Sequence, residues 1–175
     1  MLPDDWASWA RAFRKRPLWE PAASTVSVSL GRGEIQRLIP HRAPFLLLDE
    51  VTALDVAQHA ARARRSIDPH DPVFEGHFPG DPVYPGVLQI EMAGQLGVWL
   101  TQYLSGSDSD REGAVPIRAI KVHHAVFAAP VAPGDELVLH AQVLADDGST
   151  AVVGGQVSVP SGIAAVAALE FYRLG

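Results

Sequence analysis

Apolar residues recur at two spacings along this chain, and the switches between them mark its elements. Trp6, Trp9, Ala10 and Phe13 stand at helical spacing within Asp4 to Arg16, predicting a short amphipathic helix whose tryptophans pack on the main body. Pro17, Pro21 and Ala22-Ala23-Ser24 then loosen the chain. Residues 1–24 therefore read as an N-terminal helix and linker, and 25–175 as one domain. Thr25 to Leu30 alternates as a short strand, Glu34 to Ile39 predicts a helical turn before Pro40, and Phe45 to Val51 predicts an apolar strand. Ala57 to Ile67 interleaves alanine with arginine, as a strand with one wet face does. From Val87 the pattern changes. Val87, Leu88, Ile90, Met92, Ala93, Leu96, Gly97, Val98 and Leu100 are apolar or small on nearly every face, predicting a helix from about Gly86 to Leu104 that is buried all round. Ser105 to Gly113 is polar and predicts an exposed connection. Ile117 to Ala128, Glu136 to Leu144, Ala151 to Val159 and Ile163 to Tyr172 are β-rich runs separated by turn-forming segments. One central helix followed by consecutive strands is an α+β pattern.

Composition narrows the chemistry. A chain of 175 residues with 47% hydrophobic content is enough for one core. The absence of cysteine removes disulfides, thiolate metal sites and thiol nucleophiles. A net charge of −6 argues against nucleic-acid binding. No apolar run reaches membrane-spanning length and the first 20 residues lack the apolar core of a secretion signal, so the expectation is a cytoplasmic protein without membrane association. Arg11 to Arg16 and Arg62, Arg64 and Arg65 form local basic clusters, read first as solvated faces and second as docks for an acidic carrier.

Candidate chemistry concentrates between Phe74 and Gln95. Pro79, Gly80, Pro82, Pro85 and Gly86 hold His77 in a loop, and Pro85 suits a helix start whose exposed amides attract negative charge. Glu91 falls inside the apolar helix, where burial is expected to raise its pKa and keep it a proton donor. Gln95, one turn on, is placed to hold the Glu91 carboxyl. A lone loop histidine is more commonly a structural donor than a base, whereas a carboxylate in a buried helix needs a partner or a purpose. His41 reads as structural. His123 and His124, adjacent on a strand, point to opposite faces and predict no metal.

The run Gly76-His77-Phe78-Pro79-Gly80-Asp81-Pro82-Val83, with Pro85-Gly86-Val87-Leu88, Glu91 and Gln95, resembles the active-site signature of the β-hydroxyacyl-acyl carrier protein dehydratases. Ile39 to Val51, Phe127 to Leu137 and the last apolar strand agree in order and spacing, so the resemblance covers about residues 31 to 174. It implies a single hot-dog domain, in which a curved antiparallel sheet wraps one long helix. It also implies a homodimer or higher even oligomer whose sites lie between subunits, with the histidine of one facing the carboxylate of the other. His77 is then the base and Glu91 the acid. Gly86, Val87, Gln95, Phe78 and Tyr84 are the substrate-binding set, with Phe74 beside the acyl chain. No cofactor is implied.

The substrate implied is a β-hydroxyacyl thioester on acyl carrier protein or coenzyme A, in fatty acid or polyketide-type synthesis. Glu91 matches the dehydratase-only branch, while Gly31-Arg32-Gly33-Glu34 resembles the branch that also isomerises. Ala128 and Ala129 stand where the family leads one to expect basic residues, which weakens the dock for a housekeeping carrier. A hot-dog thioesterase and a non-catalytic acyl-binding subunit are the alternatives.

Overall fold

The computed structural model describes residues 2–106 and 116–174. The polar connection expected over Ser105 to Gly113 lies outside the described residues beyond Gly106. The elements run α1 (Trp6–Phe13), β1 (Val26–Gly31), α2 (Arg32–Leu38), β2 (Glu50–Asp55), β3 (Ala60–Ser66), α3 (Val73–Gly76), α4 (Gly86–Leu104), β4 (Ile117–Phe127), β5 (Glu136–Asp146), β6 (Thr150–Val159) and β7 (Gly162–Arg173). All seven strands form one antiparallel sheet in the order β1-β2-β3-β5-β6-β7-β4. It lies against α4, which packs on β5, β6 and β7. No helix among the described residues is long and apolar enough to cross a membrane.

Met92, Leu96, Trp99 and Leu100 of α4 are fully buried. Each such side chain contributes roughly 1.5–3 kcal/mol, so tertiary burial holds this helix rather than its intrinsic propensity. The burial is not all round. Val87, in the first turn, is 69% exposed, and Ile90 and Glu91 are half-buried. Glycines let the layers approach: a Cβ on Gly155 of β6 would lie 2.6 Å from the Cβ of Ala93 in α4.

The neighbouring Gly154 faces the other way, where a Cβ would lie 2.8 Å from the Trp9 ring. Strand β6 is therefore covered on both faces, by α4 and by the N-terminal segment. Asp5 caps α1 by accepting from the Ala7 and Ser8 amides at 2.9 and 3.2 Å. Trp6 stacks on His123 at 4.7 Å, and His123 Nε2 contacts Glu170 Oε2 at 2.8 Å, so this histidine is occupied within the chain. Buried Gln156 fastens the segment. Its amide donates to the carbonyls of Phe13 (2.6 Å) and Arg16 (3.0 Å), and its oxygen accepts from Leu18 N–H (3.0 Å).

Gln156→Leu removes these three bonds and the 3.4 Å contact of its oxygen with His140 Nδ1, at a cost of about 1–3 kcal/mol. The expected result of limited proteolysis is faster cleavage within residues 1–24 while the sheet domain survives. Unchanged cleavage would show that the tryptophans suffice.

One expected strand is corrected. Only Glu50 and Val51 of the Phe45 to Val51 run are in β2, and Phe45 to Asp49 is irregular. The reason is a side chain: Gln95 Oε1 accepts from Leu47 N–H at 2.9 Å and Gln95 Nε2 donates to the Phe45 carbonyl at 2.8 Å, bonds that a strand ladder would otherwise have made.

Candidate active site

His77 follows α3, a single helical turn that the proline-rich pattern does not announce, and its amide donates to Val73 O at 3.1 Å. The loop then closes on itself. Phe78 and Asp81 exchange backbone bonds, Val83 N–H donates to His77 O at 2.9 Å, and Gly80 takes φ +82°, a conformation that favours glycine. Inside this loop His77 Nδ1 lies 2.7 Å from the Val83 carbonyl oxygen. That oxygen can only accept, so Nδ1 carries the proton and Nε2 is left as a basic lone pair.

His77 lines a cavity of about 520 Å³ with Tyr84, Gly86, Val87, Gln89 and Phe127. Pro85 precedes α4, and the amides of Leu88 and Gln89 turn back to its carbonyl at 3.0 and 3.4 Å. Gly86 and Val87 therefore carry the first-turn N–H groups for which the helix has no acceptor. Gly86 must be glycine for the cavity to keep its shape, because a Cβ there would sit 2.7 Å from the Phe127 ring. Tyr84 is buried against Phe74, and burial pushes its hydroxyl pKa up.

Glu91, the only charged residue of α4, belongs to a second cavity of about 450 Å³ with His41, Phe45, Gly94, Gln95 and Val122. Neither cavity holds both His77 and Glu91, and Val87 lines the two. One chain thus places His77 and Glu91 in separate cavities that meet at Val87 in the first turn of α4.

Two expectations change here, for Glu91 and for His41. Glu91 is not raised by burial: its side chain is 33% exposed, and its pKa is lowered, chiefly by the hydrogen bond from His41 Nε2 at 3.4 Å. Burial opposes that effect, and Gln95 Nε2, donating to the carboxyl at 2.9 Å, adds to it. Gln95 spends both amide hydrogens on the Phe45 carbonyl and Glu91, and its oxygen accepts from Leu47 N–H, so it holds the carboxylate. Phe78 stacks on the His77 ring at 4.0 Å but faces, with Phe74, a separate depression near Pro82 and Pro133, leaving Tyr84 as the aromatic of the three in the His77 cavity. His41, expected to be structural, is the partner of Glu91. Its position within the matching Ile39 to Val51 segment was the available signal, but only the fold brings it to α4.

His41→Phe removes the main influence lowering the Glu91 pKa and leaves burial opposed by Gln95 alone. In a carboxyl NMR titration the Glu91 midpoint should move to higher pH than in the parent. In the parent, the depressed pKa stabilises the fold above the ordinary carboxylate range and that contribution is lost as pH falls through the Glu91 midpoint. An unmoved midpoint would remove His41 from the account.

A long helix against a single antiparallel sheet, with a loop histidine before its start and a carboxylate in its second turn, defines a protein of the hot-dog fold. Residues 39–167 match the FabA-like domain. The 3-hydroxyacyl-[acyl-carrier-protein] dehydratase FabZ of Nitratiruptor sp. is 40% identical over 139 residues, covering 78% of this chain and 93% of that protein. The FabZ of Campylobacter curvus is 39% identical over 140 residues, covering 78% and 93%. The chain belongs to the FabA-like family of 3-hydroxyacyl-[acyl-carrier-protein] dehydratases. Among solved structures, the dehydratase heterocomplex ApeI:P from Xenorhabdus doucetiae matches with a TM-score of 0.63 at 21% identity, covering 81% of this chain and 91% of that one. The E. coli PaaI protein matches at 0.54 and 16%, covering 71% and 78%. At these identities the two structures bear on the fold alone.

Proposed function

We propose that this chain removes water from a β-hydroxyacyl thioester, carried on an acyl carrier protein, to give the α,β-enoyl thioester in fatty acid or related polyketide-type synthesis. The observation that carries the reading is His77: its Nδ1 proton is committed to Val83, which leaves Nε2 free, and it lines one cavity with Gly86 and Val87 of the α4 start. His77 Nε2 takes the proton from the α-carbon, and negative charge gathering on the thioester oxygen is met by those amides. The α-carbon electron pair forms the double bond as the β-hydroxyl leaves, taking a proton from the Glu91 carboxyl to depart as water. Substrate covers the exposed third of Glu91, and loss of that hydration favours the protonated form the step requires. The family to which the chain belongs supports both the reaction and the carrier-bound substrate.

His77 and Glu91 meet, in this reading, across a dimer. Strand β4 is a sheet edge with Ile120 and Val122 exposed, and Val122 also lines the Glu91 cavity. A second chain added at that edge reaches the carboxylate half-site.

The test is to incubate the purified protein with β-hydroxyoctanoyl thioesters of acyl carrier protein and of coenzyme A and follow the intact mass. Loss of one water is the expected result, faster on the carrier protein. Release of the thiol would move the protein to the thioesterases.

A further inference from the structure

Glu91 meets two donors, and both fall on the same oxygen. His41 Nε2 lies 3.4 Å from Oε1, and Gln95 Nε2 donates to Oε1 at 2.9 Å. Oε2 has no hydrogen-bond partner among the described residues, yet it is not sealed: the buried side-chain atoms left unpaired are Trp19 Nε1, His41 Nδ1, Arg65 Nε, Gln89 Oε1 and Trp99 Nε1. The carboxyl thus turns one oxygen into the chain and leaves the other accessible.

The polar side chains of the Glu91 cavity are His41, Glu91, Gln95 and Arg118. Gln95 has spent both amide hydrogens, and Arg118 Nη1 donates to the Ile117 carbonyl at 3.1 Å. Arg42, next to His41 in the chain, donates to the carbonyls of Ile39 and His41 at 2.9 and 2.8 Å. Among the described residues, His41 is left with Glu91 as its side-chain partner, at Nε2. Its Nδ1 is sealed, with nothing there to accept a proton from it. An imidazolium would place a charged N–H in that spot unanswered, which costs more than a bare ring nitrogen. The ring that fits is neutral, with its proton on Nε2, donating to Oε1.

A carboxylic acid carries its proton on one oxygen, and an oxygen already accepting two bonds is the carbonyl one. Resting on the dehydratase reading, we propose that His41 is a positioning residue: its neutral Nε2–H, together with Gln95, reserves Oε1 as an acceptor and makes Oε2 the oxygen that gives the proton to the leaving β-hydroxyl. In that step the Oε2–H bond breaks as an O–H bond forms on the hydroxyl, the bond from the β-carbon to oxygen breaks, and water departs. Oε1 accepts the same two bonds before and after, so neither partner has to move. The two donors favour the carboxylate, which is the direction in which the Glu91 pKa lies, but they leave the acid form a place for its proton.

Nitrogen-15 NMR of the unmodified protein, labelled at histidine and recorded at neutral pH, reads the tautomer directly. The His41 signals, assigned by their loss in His41→Gln, are expected to show a proton on Nε2 and a bare Nδ1. A proton on Nδ1, alone or together with one on Nε2, overturns the proposal. Two variants then test the role. Glutamine keeps an N–H at about the reach of Nε2 and carries no titratable proton, whereas leucine has no donor. His41→Leu is expected to lower kcat for dehydration of β-hydroxyoctanoyl coenzyme A about tenfold, with equilibrium binding of the octanoyl thioester unchanged. His41→Gln should recover most of that loss and keep the parental pH profile. If glutamine is as slow as leucine, or if leucine works at the parental rate, His41 does not position the acid and the proposal falls. Failure of the unmodified protein to lose water from the substrate would sink the dehydratase reading separately, because the nitrogen spectrum does not depend on turnover.

Discussion

His77→Ala is expected to lower dehydration of a β-hydroxyacyl thioester by about a hundred- to ten-thousandfold, the range general bases contribute. The cavity contains no second titratable side chain beside it except the Tyr84 hydroxyl, whose pKa burial pushes up and away from use as a base near neutrality. The loop should survive the change, since the Phe78 and Asp81 backbone pair and the Val83 to His77 backbone bond do not involve the imidazole. The loss therefore belongs in kcat, with thioester affinity altered far less. Parallel measurement of turnover and of equilibrium binding to the octanoyl thioester separates the two. A near-parental rate would end the assignment of His77 as base, and an equal loss in binding would make it a positioning group.

Gly155→Val is expected to destabilise the protein by about 3 kcal/mol, at the upper end of the usual cost of overpacking. The added Cβ alone would lie 2.6 Å from the Ala93 Cβ and 3.5 Å from its Cα, and neither is the flexible end of a side chain that could swing away. Strand β6 and helix α4 must separate. Because α4 carries Gly86 and Glu91, the same variant should lose activity before it unfolds. Gly94→Ala is the control: its Cβ meets Leu169 and Phe171 at 3.6 Å, an ordinary contact, so denaturation should be nearly unchanged. If Gly155→Val unfolds at the same denaturant concentration as the parent, the close approach of the two layers is not what holds them.

The elements most legible in the sequence were the long ones bounded by clear turn-forming segments. Helix α4 and strands β4 to β7 fall within a few residues of the bounds that periodicity predicts, because they are long and the turn-forming residues between the strands punctuate them clearly. Phe45 to Asp49 misled for the opposite reason: Leu46, Leu47 and Leu48 are all buried, but a glutamine distant in sequence satisfies the backbone between them. At the site, residue types announced His77 and Glu91, but partners decided their state. Nothing local to Glu91 reveals that His41 faces it from fifty residues earlier, and burial read from the helix pattern gave the wrong direction for its pKa.

The Gln95 carboxamide joins Leu47, Phe45 and Glu91 at one point, and this makes the carboxylate observable through an amide far from it in sequence. Opening of the Phe45 to Leu47 segment and release of the carboxyl group become a single event. Hydrogen–deuterium exchange at the Leu47 amide then acts as a clock for how often Glu91 loses its alignment, without substrate and without turnover. Substitutions that leave the reacting groups untouched but quicken that exchange should lower the rate in proportion to the time the arm spends undone.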